Sequence, residues 1–150
     1  MIVAVRTLAL ASILTCLSEP LPAAIFAVSS GSASVLYRID LEAKTVTTVG
    51  PTGVDHLTGL AYHASRGVLF AHQAYDSFEP QTRPGGLYQV DIASGQASLI
   101  DQNGLSISDL AVDPSGQLFG WMENYNDDAR VNDPPDTTLD QLILFNLTDG

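Results

Sequence analysis

From residue 25 onward the chain alternates apolar and polar residues with a period of two. Leu36-Tyr37-Arg38-Ile39-Asp40-Leu41 puts Tyr37, Ile39 and Leu41 on one side of an extended segment and Arg38 and Asp40 on the other, the pattern of a strand with one buried face. The pattern returns 51 residues later as Leu87-Tyr88-Gln89-Val90-Asp91-Ile92, and 55 residues after that as Leu142-Ile143-Leu144-Phe145-Asn146-Leu147. A second element recurs at nearly the same period: Leu57-Thr58-Gly59-Leu60-Ala61-Tyr62 matches Ile107-Ser108-Asp109-Leu110-Ala111-Val112. A short polar turn follows each, and then a third element, Val68-Leu69-Phe70-Ala71 or Gln117-Leu118-Phe119-Gly120, with an earlier copy in Ile25-Phe26-Ala27. Gly67, Gly95 and Gly116 stand where tight reversals call for positive φ. No segment after Ala24 carries a capped apolar stripe of period 3.6, so minimal helix is expected.

With the strands of one unit labelled a to d, the alternation predicts b, c and d at about 25–29, 34–41 and 44–49. A whole unit follows at 57–63, 67–73, 86–92 and 96–100, and then a, b and c at 107–113, 117–122 and 141–147. Units of about 50 residues built from four antiparallel strands fit a β-propeller blade. The elements quoted above resemble the blades of secreted bacterial propeller proteins of the form L-Y-x-I-D-x-x-T-G…L-T-G-L-A-x-D-P-x-x-G-x-L-Y-A, similar to the NHL and YVTN types. The chain departs from that form at Glu42-Ala43-Lys44, which lacks the turn glycine, and at His63-Ala64, which replaces Asp-Pro. The resemblance implies an all-β chain of four-stranded antiparallel blades: strands b-c-d over 25–49, a full blade over 57–100 and strands a-b-c over 107–147. About two and a half blades are fewer than the roughly four to eight of a closed propeller. Either a longer protein or self-association is therefore expected to complete the ring.

The first 24 residues read differently. Arg6 precedes an apolar run from Leu8 to Leu17, and Pro22-Ala23-Ala24 supplies small residues for cleavage, the layout of a secretory signal peptide. The run is shorter than the roughly 20 residues that span a bilayer, so no stable membrane anchor and a secreted or periplasmic location are expected. Removal takes away Cys16, the single cysteine. The mature chain is then held by packing and sheet hydrogen bonds, or by a bound cation, rather than by disulfides.

Charge narrows the partners. The chain has 17 acidic and 6 basic residues, a formal net charge of −11, which is unchanged when Arg6 and Glu19 leave with the signal. Nucleic acid is excluded as a partner, because it is held by clustered Lys and Arg. In a propeller the d–a and b–c connections share one end, and here the b–c connections, about 73–85 and 123–140, are by far the longest. That end gathers Asp55, Asp76, Glu79, Asp101, Asp140 and five more acids between 123 and 136.

Long loops on a rigid scaffold are where ligands bind, and this makes His56, Asp76, Glu79, Trp121, Glu123 and Tyr125 the ligand-binding candidates. Asn124, Asn126 and Asp128 have the alternating spacing that begins a calcium loop, but Ala129 and Pro135 stand where the loop's glycine and bidentate glutamate belong. A calcium site and a solvated acidic loop are both open readings. His63 and His72 are expected about 13 Å apart along a hairpin, with His72 opposite Gly59, too far to share one zinc. There is no Gly-x-Ser-x-Gly elbow and no Gly-rich phosphate loop. The reading is a binding or scaffold module whose ligand is a protein, a glycan or a small molecule. A calcium-dependent propeller hydrolase or lactonase, or a segment with no independent function, are the alternatives.

Overall fold

The structure is a computed structural model that describes residues 24–75, 83–122 and 140–147. These residues form ten strands and, among them, no helix. The first sheet holds β1 (Ala24–Val28), β2 (Val35–Asp40) and β3 (Thr45–Pro51). The middle sheet holds β4 (Leu57–His63), β5 (Val68–Tyr75), β6 (Pro84–Val90) and β7 (Ala97–Asp101). The third holds β8 (Ile107–Val112), β9 (Leu118–Met122) and β10 (Gln141–Phe145). Every pairing is antiparallel between neighbours in sequence.

The three sheets stack through two apolar seams. Leu36, Phe26 and Val28 of the first sheet meet Leu57, Leu69, Ala71 and Val90 of the middle one. Ala61, Phe70 and Leu87 on the opposite face of the middle sheet meet Ile107, Leu110 and Leu118 of the third, with Ile143 and Phe145 alongside. Strand β5 is consequently buried on both sides, from Leu69 through Gln73 without interruption. This departs from the one-faced alternation expected of each strand: Leu36 and Leu87 are fully buried, whereas Tyr37 and Tyr88 on the opposite side are half-buried, and in the first sheet the Tyr37 and Ile39 face expected to be buried is the outward one. Leu41 and Ile92, expected on the buried side, fall beyond β2 and β6 and are exposed.

The sheets share one register. Ile25 faces Ile39 across β1 and β2, Leu69 faces Val90 across β5 and β6, and Leu118 faces Phe145 across β9 and β10. In the same frame Val28, His72 and Trp121 occupy one position, opposite Leu36, Leu87 and Leu142. The irregularities coincide as well, at Leu36/Tyr37 and Leu87/Tyr88, and at Thr58/Leu60 and Ile107/Asp109. The bulge at Gly59 places His72 opposite Thr58 rather than Gly59. Gly59 has φ 32°, and a β-carbon there would stand 3.0 Å from the Asp109 backbone of the third sheet. Close approach and backbone conformation both call for glycine.

Short turns close the other end. The Asp91 carboxylate accepts hydrogen bonds from the Ser94 hydroxyl at 2.8 Å and from the Ser94 and Ala93 amides at 2.6 and 3.0 Å. Asp113 accepts from the Gln117 amide at 2.8 Å and from Ser115. These bonds, to Ser94 first for Asp91 and to Gln117 first for Asp113, hold both carboxyls below their ordinary range. The positive-φ positions are Gly67 (66°), Gly95 (82°) and Gly116 (87°), and Lys44 takes φ 55° where the first sheet lacks the glycine. His63 ties two of these turns together: its Nε2 donates to the Gly116 carbonyl at 3.1 Å, Ser65 lies 3.3 Å from Nδ1, and the Phe70 ring meets it edge-on. Buried and bonded in this way, His63 serves the packing.

Candidate functional site

At the opposite end, β5 runs out between the connections 52–56 and 102–106. His72 and Gln73 lie at this end, on opposite faces of the strand and both buried. A fully buried imidazole in the position that Val28 and Trp121 fill elsewhere is a polar group in an apolar column. Its Nε2 lies 3.2 Å from Asn103 Oδ1, which also accepts the Leu105 amide at 3.1 Å. An amide oxygen can only accept, so Nε2 carries the proton and Nδ1 presents a lone pair. The Phe145 ring of the third sheet lies 6.2 Å from the imidazole, centre to centre. Burial pushes the His72 pKa below its ordinary value, and it outweighs the upward influences of Asn103, the Gln73 backbone and the Asp101 charge. The ring is neutral at pH 7.

On the other face Gln73 Nε2 donates to Asp55 Oδ1 at 2.7 Å. The Asp55 charge also reaches Tyr88: burial first, and that carboxylate second, raise the phenol's pKa. Three atoms at this end, His72 Nδ1, Gln73 Oε1 and Asn103 Nδ2, are buried with no hydrogen-bond partner among the described residues. Buried polar groups are nearly always paired, and each exception asks for an explanation. His72 Nδ1, an acceptor, and Asn103 Nδ2, a donor, belong to one face of β5, and Gln73 Oε1, an acceptor, to the other; all three are neutral. The His72–Asn103 pair suits hydrogen bonding to a polar, uncharged group. Among the described residues no three His, Cys, Asp or Glu side chains come together as a metal-holding group.

Of the residues singled out from sequence, His56 and Trp121 are described. His56 stands at the expected end, just before β4, and there it works through its backbone. Its amide donates to the Gly31 carbonyl at 2.7 Å, its carbonyl accepts the Ala74 amide at 3.0 Å, and its φ is 49°. Histidine is among the few residues that adopt this conformation with some frequency. Trp121 is on β9, on the outward face of the third sheet, away from the His72 seam. Asp76, Glu79, Glu123, Asn124, Tyr125, Asn126 and Asp128 lie outside the described residues, as do residues 1–23. His72, Gln73 and Asn103 escaped sequence reading. The available signal was the column itself: Val28, His72 and Trp121 align on the repeat, and only one of the three is titratable.

The pH dependence of stability reports on this site. The unfolded His72 takes up a proton near 6.5, whereas the folded ring does so at lower pH. The folded chain therefore loses stability as pH falls from above 6.5 toward the depressed value. His72→Leu is expected to remove that limb and to raise stability at pH 7 by about 1 kcal/mol. Relief of the unpaired Nδ1, about 1–3 kcal/mol, outweighs the lost bond to Asn103. Thermal unfolding of both proteins between pH 5 and pH 8, an interval chosen about the ordinary histidine pKa, measures both effects.

No membrane-spanning helix is present among the described residues. Compared with family models, curated proteins and solved structures, the chain finds no match.

Proposed function

We propose that the chain is a secreted module of β-propeller type, its three sheets being successive blades, and that it binds a polar, uncharged group at the end of β5. One observation carries the binding reading: His72 and Asn103 keep buried hydrogen-bonding atoms without partners among the described residues, at the place that valine fills in the first sheet. Such atoms weaken a core by about 1–3 kcal/mol each unless something bonds to them. The shared register and coincident bulges support the blade reading, as does the 51-residue spacing of the repeated strand. Secretion rests on the layout of the first 24 residues alone.

The test is to screen the purified chain on glycan, peptide and small-molecule arrays, and in parallel on a hydrolase substrate panel. Reversible binding without turnover is expected. His72→Leu and Asn103→Leu should each weaken it about tenfold, the equivalent of one lost hydrogen bond. Since His72→Leu is expected to be the more stable protein, weakened binding there cannot come from unfolding. Turnover of any panel substrate, or binding indifferent to both substitutions, overturns the reading.

A further inference from the structure

The two seams inside this chain are two instances of one interface. In each, the face bearing Phe26, Val28 and Leu36, or its equivalent Phe70, His72 and Leu87, meets the next sheet's face bearing Leu69, Ala71 and Val90, or Leu118, Gly120 and Phe145. The register lines up the contacts. Val28 packs in one cluster with Val90, and His72 meets Phe145 at the equivalent place. Among the described residues, stacking three sheets in this way leaves one face of each kind uncovered at the ends.

The third sheet presents Phe119, Trp121 and Leu142, the counterparts of Phe70, His72 and Leu87. The first sheet presents Ile25, Ala27 and Ile39, the counterparts of Leu69, Ala71 and Val90, with Val46 beside them. Exposure separates the free faces from the covered ones: Trp121 is 43% exposed, Leu142 64%, Ile25 44% and Val46 66%, whereas Leu69 and Leu87 are 1% exposed and Val90 is 0%. These residues are uncharged; Asp109, the exposed β8 partner of Trp121, brings one carboxylate to the free face of the third sheet.

We infer that the outward face of the third sheet is covered by the outward face of the first sheet of a second copy of this chain, in head-to-tail register. Trp121 then meets the partner copy at its Ile39 position, as His72 meets Phe145 and Val28 meets Val90 within one copy. An interface between unlike patches is heterologous, so it adds copies in one direction only. This inference uses the registers and the exposed faces, and it is independent of what binds at the end of β5.

The test is sedimentation equilibrium of the full chain from about 1 to 100 μM, with fluorescence of Trp121, the single tryptophan. Association is expected, with a blue shift of emission as concentration rises. Leu142→Glu and Val46→Glu, on opposite faces and at exposed positions, should each sediment as monomers with red-shifted emission. Mixed, they should form a 1:1 complex, since each retains the face the other has lost. A monomeric parent chain overturns the inference, as does association that survives either substitution or a mixture that stays monomeric. Array binding in Leu142→Glu is expected to match the parent chain, which keeps this outcome separate from that of the binding proposal.

Discussion

Phe70→Ala is expected to lower the free energy of unfolding by about 3–5 kcal/mol, the range for truncating a fully buried aromatic ring. Phe70 is 1% exposed and belongs to the cluster that joins the middle and third sheets, beside Ala61, Leu87, Ile107, Leu110 and Leu118. It also meets the His63 ring edge-on, 6.0 Å between centres. Removing it opens a cavity bounded by two sheets, and neither can close on it without giving up hydrogen bonds such as Thr58 Oγ1 to the Ile107 carbonyl at 2.7 Å. Urea titration should show a lower midpoint with an unchanged slope. Leu99→Ala, on the same sheet but 52% exposed, is the control, with an expected cost below about 1 kcal/mol. Equal losses at the two positions would contradict the packing described here.

The second large effect lies at the other seam. Gly95 has φ 82°, and a β-carbon on it would stand 2.7 Å from the Gly50 carbonyl oxygen of the first sheet. Gly95→Ala combines a left-handed penalty of about 1–2 kcal/mol with overpacking against backbone of about 1–3 kcal/mol. The expected loss is about 2–5 kcal/mol. Gly67→Ala separates the two contributions: φ is 66° there, but nothing lies within 4 Å of the added carbon, so only the conformational penalty applies. Lys44, at φ 55° in the β2–β3 turn, the first-sheet counterpart of the Gly95 turn, illustrates that limit in the native chain. If both alanine variants unfold at the same midpoint, the close approach at the Gly50–Gly95 seam is not as drawn.

Much of the architecture was legible because a strand's period of two is written directly into residue types. Leu57–His63 and Ile107–Val112 run where the alternation puts them, and the turn glycines have the positive φ their spacing asks for. What alternation could not convey was that the middle sheet is covered twice. Leu69-Phe70-Ala71 is apolar at every position, and a continuous apolar run reads equally well as a one-faced strand with spare hydrophobicity. The binding candidates were harder to reach. Sequence favours exposed acids on long connections, whereas His72, Gln73 and Asn103 matter through what they lack, a partner in a closed space. A missing hydrogen bond has no residue type to announce it.

Synthesis from the N-terminus gives the doubly covered strand a history. When Asp101 has been made, the first sheet can already cover Leu69, Ala71 and Val90, but the Ala61, Phe70 and Leu87 side must wait for the third sheet. At about 5–20 residues per second the strands through Phe145 take roughly 2–9 s to arrive. For that interval an apolar surface stands open, without a charge or a proline from Val68 to Ala71, the composition that recruits other nascent chains. His72 interrupts that surface at its far end. The residue that weakens the finished seam is thus also the first polar one on the face that stays open while the seam is half built.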